Sequence, residues 1–277
     1  MTEFKIPLAG VIGHPIAHSR SPQLHKYWLE KYGLAGHYIP MDVSSQDLPH
    51  VLNNLPKMGF VGVNVTLPHK ETVLEIADVI SDRASLIGAA NTLTFQADGK
   101  LYADNTDGHG FLANLKQQAP DWSASDGPAL VLGAGGAARA VIAALLQDGA
   151  SQIIVANRTR ARAETLKSHF GAKVSVVDWT QAVNQTSELA TLVNTTALGM
   201  DGKEKLRFSV SKLPQTALVA DIVYTPLVTE LLSEAADHGC RTVDGLGMLL
   251  HQATPGFERW FGYAPEVDDA MRDAILS

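Results

Sequence analysis

Short runs rich in Val and Ile alternate along this chain with longer stretches of helical spacing, and that alternation constrains its fold more than any other feature. It is the pattern of βα units feeding a parallel sheet. The spacing predicts strands over Ile6–Gly13, His37–Val43, Phe60–Val65, Ala129–Leu132, Ile153–Ala156, Lys173–Val177, Thr191–Asn194, Leu218–Ile222 and Arg241–Val243. Helices are expected over Pro22–Tyr32, Asp47–Met58, Lys70–Ile80, Gly108–Gln118, Ala137–Gln147, Arg160–His169 and Leu227–His238, then Leu246–Phe261 and Glu266–Leu276. Thr92–Gln96 and Lys100–Ala103 flank Asp98-Gly99, which supplies the positive φ angles of a tight hairpin turn.

The segment Gln117–Pro128 is rich in Pro, Ser, Asp and Gly and directly precedes the most apolar strand, so a domain boundary is expected near it. At 277 residues the chain is long enough for two domains of ordinary size. Its 22 Lys plus Arg against 29 Asp plus Glu give a net charge of -7, which argues against nucleic acid or an anionic membrane surface as partner. Cys240 is the single cysteine, so no intrachain disulfide and no thiolate zinc site can form. The N-terminal residues lack a basic stretch followed by an apolar one, and no apolar run approaches the about 18 residues of a membrane span. The expectation is a soluble cytoplasmic protein, monomer or homodimer, with a small-molecule ligand.

A dinucleotide signal sits in the middle of the chain. Ala129–Leu132 runs into Gly133-Ala134-Gly135-Gly136-Ala137-Ala138 and then a helical stretch. In that context Gly133 permits the tight turn, Gly135 lets the backbone approach a pyrophosphate, and Ala138 allows close helix–strand packing. The next strand ends in Asn157-Arg158-Thr159, where an NAD enzyme usually keeps an acid for the ribose 2′-hydroxyl. Arg158, with Arg160 and Arg162 nearby, favours NADP because it offers positive charge to a 2′-phosphate.

The first half carries three polar clusters at the C-terminal side of candidate strands, where open α/β sheets place their ligands. They are His14 to Pro22, containing Ser19 and Ser21; Asn64 to Lys70, containing Thr66; and Asn91-Thr92 with Asn105-Thr106-Asp107. Each residue also has a plain structural reading: Lys70 as a solvated lysine, Asp107 as a helix cap, the serines as turn residues, Tyr224 as a packing aromatic. His14 and His18 have i, i+4 spacing, but Pro15 breaks the segment and no carboxylate or thiolate pattern accompanies them, so no metal is expected. Arg20 is read as structural.

Together with Gly133–Ala137, Asn157–Thr159 and Asp244-Gly245-Leu-Gly-Met248-Leu-Leu-His-Gln252, these clusters closely resemble the shikimate dehydrogenase family, across nearly the whole chain. The resemblance implies a two-domain α/β fold: an N-terminal α/β substrate domain with a mainly parallel sheet, residues 1–108 completed by helices over 245–277, and a Rossmann-type NADP-binding domain over 109–244. The site is expected in the cleft between them. The implied activity is the reduction of 3-dehydroshikimate by NADPH, on the route to chorismate and aromatic amino acids. A quinate or dual quinate/shikimate dehydrogenase is the nearest alternative, and a catalytically silent NADP sensor is an alternative of another class.

By the same resemblance Ser19 and Ser21 bind the substrate carboxylate, with Tyr224 closing the site beside it. Asn64, Thr66, Asn91, Asp107 and Gln252 hold the ring hydroxyls, and Lys70 and Asp107 are the catalytic pair. Cofactor contacts are implied for Gly133, Ala134, Gly135, Gly136 and Ala137, for Asn157, Arg158, Thr159 and Arg162, and for Ile222, Gly245, Met248 and Asp82. Two places depart from the family's commonest form: Thr225 before Pro226, and Ala197-Leu198, both expected along the nicotinamide wall. The chemistry agrees with the residue types. Hydride reduction of a ketone leaves an alkoxide, and a lysine ammonium kept charged by an aspartate can protonate it.

Overall fold

In the computed structural model, which describes residues 6–276, the alternating pattern resolves into two six-stranded sheets. Residues 1–5, part of the stretch read for a leader, and residue 277 lie outside the described residues. The first sheet contains β1 (Leu8–Gly13), β2 (His37–Asp42), β3 (Phe60–Val65), β4 (Val79–Ile80), β5 (Thr92–Phe95) and β6 (Leu101–Asp104). Their order is β2-β1-β3-β5-β6-β4. β1 pairs in parallel with β2 and β3, and β4 with β6, whereas the β5–β6 hairpin enters antiparallel to β3.

Side chains on this sheet alternate between two cores, as the pleat requires. Ala9, Val11 and Tyr38 pack with Trp260 on one face, while Ile12, Val63 and Leu93 pack with Leu48, Leu52 and Val73 on the other.

The second sheet contains β7 (Ala129–Leu132), β8 (Ile153–Ala156), β9 (Val174–Val177), β10 (Thr191–Asn194), β11 (Leu218–Asp221) and β12 (Arg241–Val243), all parallel. Their order, β12-β11-β10-β7-β8-β9, reverses direction between β7 and β10. This is the doubly wound dinucleotide-binding arrangement, in which ligands sit outside the carboxyl ends at the reversal. Every residue of β7, β8, β10 and β11 is buried, which is why those strands read as continuous apolar runs.

The chain divides into two compact units, Met1–Thr106 with Leu250–Ser277, and Asp107–Leu249. The sequence boundaries at 108 and 245 therefore shift by a few residues. Residues 245–249 go with the second unit because the Asn114 amide donates to the Asp244 carbonyl at 2.7 Å and Met248 joins the core around Phe111 and Leu115.

Several expected helices differ; Asp47–Met58 ends in a tighter 3-10 turn from Leu55, and Glu266–Leu276 begins only at Asp269. Lys70–Ile80 shortens to one turn, Val73–Ile76, because Asp78 accepts from Leu101 N–H at 2.8 Å and the next two residues pair with β6 as an edge strand. Leu246–Phe261 breaks into Leu246–His251 and Thr254–Phe261, with Pro255 starting the second. Leu227–His238 begins only at Glu230, where Thr229 caps it. The helix Asp82–Ile87, capped by Ser81, has no counterpart in the spacing argument. Among the described residues no helix is long and apolar enough to cross a membrane.

Candidate functional site

In the first unit the loops after β1 and β3 are laced together. Thr66 N–H donates to the Ile12 carbonyl at 2.9 Å and His14 N–H to the Leu67 carbonyl at 3.0 Å. Ser21 begins the helix Ser21–Lys31, is buried, and its N–H donates to Ser19 Oγ at 3.3 Å. Arg20 turns away to Gln23 and to the Ile275 carbonyl, both at 3.3 Å, so it serves the C-terminal helix. His14 pairs with Asp42 at 2.5 Å. Among the described residues no three His, Cys, Asp or Glu side chains gather to hold a metal ion.

Lys70 is half-buried, on a segment pinned at both ends. Its carbonyl accepts from Ala90 N–H at 2.8 Å, and the buried His69 ring meets the Val43 carbonyl at 2.7 Å.

Asn64 at the end of β3 faces Thr92 at the start of β5, and Thr92 faces Asp104 at the end of β6. This cross-strand row gathers Asn64, Asn91, Thr92 and Thr106, all buried, into one hydrogen-bonded group with Gln252. Asn91 donates to Gln252 Oε1 at 3.2 Å. Thr66 flanks the row half-buried.

Sequence reasoning assigned no role to Tyr38, whose hydroxyl donates to Asn64 Oδ1 at 2.7 Å. It is buried between exposed His37 and Ile39, and because the outward-facing Ile39 is itself apolar, the residue types of this strand do not show which face turns inward. His25, to which sequence reasoning also gave no role, stacks on Tyr38 with ring centroids 3.8 Å apart. Burial pushes its pKa down to about 3, while the neighbouring Asn64 amide works the other way. It is a neutral aromatic wall of the site.

Asp104 was also missed. Fully buried, its carboxylate accepts from Arg83 and Arg259, each at 2.7 Å, and from Ser81 Oγ at 2.7 Å. Burial alone would raise its pKa, but these donors outweigh it and hold the group below the usual carboxylate range. A depressed carboxylate contributes stability that is complete above its unfolded pKa and is lost as pH falls through the folded one. Acid unfolding of Asp104→Asn is therefore expected to be less steep below the ordinary Asp pKa. At neutral pH the variant should lose about 1.5–3 kcal/mol, the range for hydrogen bonds to charged groups, toward the low end because both arginines are partly solvated. Denaturant melts across pH check this, and identical curves would show that Asp104 contributes nothing through its charge.

In the second unit the glycine-rich turn fits the phosphates of a dinucleotide. Gly133 has φ +112°, and a Cβ there would lie 2.7 Å from Thr195 Oγ1 on the neighbouring strand end. At Gly135 and Gly136 a Cβ would meet nothing within 4 Å, so the turn opens onto free space. Gly135 caps the helix Gly136–Gln147, one residue earlier than expected, and the exposed first turn offers N–H groups to an anion. Ala134 and Ala137 are half-buried beside it, and Ala138 is fully buried against the sheet.

The Asn157-Arg158-Thr159 turn follows β8, with Asn157 Nδ2 donating to the Thr159 carbonyl at 2.8 Å. Asn157 and Arg158 line a cavity of about 960 Å³ together with Trp179, Thr196, Lys203 and Arg207. Arg158 reaches into solvent, with Glu204 4.0 Å away. Arg160 is held by Glu164 and Asp178 at 2.9 and 2.7 Å, which accounts for a cation at that helix start without any ligand; Arg162 is exposed two residues on.

Ala197 and Leu198 line this same cavity. Buried Asn194 ties the ends of β10 and β11 together by donating to Asp221 Oδ1 at 2.9 Å and to the Leu198 carbonyl at 3.2 Å. Burial raises the Asp221 pKa against hydrogen bonds from Val223 N–H, Thr229 and Asn194.

Ile222 and Tyr224 follow directly on that strand end, half-buried. Gly245 and Met248 are buried within the second unit. Asp107, also buried, opens the helix Asp107–Gln118. Asp82 is exposed in the first turn of its helix in the first unit, separate from the glycine-rich turn's unit.

Three family models match the chain: shikimate dehydrogenase substrate binding domain over residues 11–93, shikimate / quinate 5-dehydrogenase over 114–247, and shikimate 5'-dehydrogenase C-terminal domain over 245–276. A shikimate dehydrogenase (NADP(+)) of Cereibacter sphaeroides is 64% identical over 100% of both chains. Shikimate 5-dehydrogenase from Thermus thermophilus, determined with NADP(H) and shikimate, superposes with a TM-score of 0.86 at 39% identity, covering 98% of this chain and 99% of that one. Quinate dehydrogenase from Corynebacterium glutamicum, determined with NAD, gives a TM-score of 0.90 at 34% identity, covering 97% and 98%. One fold thus serves both substrates and both cofactors among these neighbours, and the choice between them rests on particular side chains.

Proposed function

The chain belongs to the shikimate dehydrogenase family, and from that premise we propose that it interconverts 3-dehydroshikimate and shikimate with NADP(H), on the route to chorismate and the aromatic amino acids. The observation that carries the reading is the row of buried, uncharged amides and hydroxyls beside the Lys70 segment. Such a row suits a polyhydroxylated ring, which needs neutral donors and acceptors at fixed positions.

The nicotinamide cofactor, when bound, supplies or takes the hydride. Ser19 and Ser21 bind the substrate carboxylate and Tyr224 borders it. Asn64, Thr66, Asn91 and Gln252 orient the ring hydroxyls. Lys70 delivers a proton from Nζ to the oxygen that gains charge during reduction, and Asp107, the other member of the catalytic pair, binds a hydroxyl. Gly133 to Ala137 cradle the pyrophosphate. Asn157, Arg158, Thr159 and Arg162 read the adenosine 2′-phosphate, Ile222, Gly245 and Met248 border the nicotinamide, and Asp82 makes a lesser contact. The presence of both Lys70 and Asp107 speaks against a silent sensor, which has no need of a proton donor. The protein acts as a soluble cytoplasmic enzyme, monomer or homodimer; its single cysteine supports a reducing compartment.

Shikimate should be preferred over quinate. Quinate carries an extra hydroxyl on a tetrahedral carbon where shikimate is planar, and serines at both 19 and 21 shape the wall that feels this difference. Burying that hydroxyl without a partner costs about 1–3 kcal/mol, roughly a 10- to 100-fold preference. The test is kcat/KM for both substrates with NADP; parity or a quinate preference would move the assignment to quinate dehydrogenase.

A further inference from the structure

We propose that Lys203 and Arg207 are further specificity-determining residues for NADP over NAD, and that Glu204, between them in sequence, opposes them. The proposal rests on the function just given and adds to it a second segment of chain, outside the glycine-rich turn and residues 157–162. Arg158 follows β8, whereas Lys203 and Arg207 lie beyond β10, yet all three line one cavity.

Exposed lysines and arginines are common and by themselves indicate nothing. What distinguishes these is the backbone that carries them. Burial alternates along the segment: Leu206, Phe208 and Val210 sink into the core with Leu130, Leu132 and Ile154, so Lys205, Arg207 and Ser209 turn outward. At its head Lys203 N–H donates to the Met200 carbonyl at 3.0 Å, and Gly199 N–H to the Glu204 carbonyl at 2.8 Å. The side chains are solvated, but the chain beneath them is anchored.

The charges on this cavity are not balanced within the protein. Lys205 is taken by Glu230 at 3.2 Å, and Glu204 is the one carboxylate among the lining residues, 4.0 Å from Arg158. Among the described residues Lys203 and Arg207 have no ion pair. Arg158, Lys203 and Arg207 against Glu204 leave an excess of two positive charges. A phosphate monoester near neutral pH carries about −1.5 to −2, so the 2′-phosphate of NADP matches that excess. NAD has a neutral hydroxyl at the same position and gains little from the cations.

Lys203→Gln and Arg207→Gln should each raise the Kd for NADP by about 3- to 10-fold and leave that for NAD within about twofold, the loss being limited because both side chains are solvated. Glu204→Gln should do the reverse and tighten NADP binding by about 2- to 5-fold, since it removes the carboxylate beside Arg158. Calorimetric titration without substrate measures these constants. Adenosine 2′,5′-bisphosphate, which has the 2′-phosphate and no nicotinamide, should follow NADP through all three variants. Opposite signs at neighbouring positions are what charge produces and what a disturbed loop does not. Unchanged NADP affinity in either of the first two variants, equal losses for NADP and NAD, or weaker NADP binding in Glu204→Gln would overturn the proposal. A wild-type chain that binds NADP no more tightly than NAD would instead overturn the cofactor assignment on which it rests.

Discussion

Lys70→Ala is expected to lower kcat for shikimate oxidation by roughly 10²–10⁴-fold, the loss that accompanies removal of a general acid–base. The KM for shikimate should change far less, because neutral amides and hydroxyls orient the ring. Lys70 lies at the head of a loop whose backbone is held by Ala90, and by His69 against Val43, so truncating its side chain leaves the pinning bonds in place. Lys70→Arg should recover little of the lost rate, since a guanidinium keeps the charge but does not release its proton at neutral pH. Steady-state kinetics on variants with native circular dichroism check both statements. Near-normal turnover in folded Lys70→Ala would remove Lys70 from the mechanism.

Arg158→Asp is expected to reverse the cofactor preference. In the wild type the exposed guanidinium lines the cavity beyond the glycine-rich turn, with Glu204 4.0 Å from it. A 2′-phosphate there gains charge-assisted hydrogen bonds of about 1.5–3 kcal/mol, so their loss weakens NADP binding by about 10- to 100-fold. Aspartate repels the phosphate and can accept from the ribose 2′-hydroxyl of NAD, as acidic residues at this position commonly do. Affinity for NAD should therefore hold or improve. Dissociation constants for both cofactors, measured by titration without substrate, separate this from any effect on turnover. Equal losses for the two cofactors would make Arg158 a structural residue.

What was legible in the sequence was whatever depends on local period and local backbone. Ala129–Leu132 followed by Gly133-Ala-Gly-Gly reads as strand and phosphate turn because burial on both faces and the need for open space at Gly135 leave their mark on consecutive residues. The Asp98-Gly99 hairpin declares itself in the same way, with Gly99 at φ +85°.

Segments decided by distant partners were not legible. Lys70–Ile80 has helical spacing, yet Val79 and Ile80 become a strand because Tyr102 and Ala103 lie alongside. The break near Gln252 divides what spacing reads as one helix, and it sets Gln252 where its carbonyl meets Thr106, 146 residues earlier.

Among the candidate residues, Asn64, Asn91 and Gln252 come together in one hydrogen-bonded group, and the serines sit at the start of their helix. Tyr38, His25, Asp104 and the pair Asn194–Asp221 were passed over, since each takes its meaning from a partner across a sheet or from a different helix. Arg160, grouped with the cofactor arginines by proximity in sequence, is held by Glu164 and Asp178.

The most direct test of the whole account is the reduction of 3-dehydroshikimate by the purified chain, followed by loss of nicotinamide absorbance with NADPH and with NADH in parallel. The account predicts rapid oxidation of NADPH, dependent on 3-dehydroshikimate, with NADH at least about 10-fold poorer in kcat/KM, as the loss of one charged hydrogen bond implies. No oxidation of NADPH with 3-dehydroshikimate, or NADH used as well as NADPH, would contradict it.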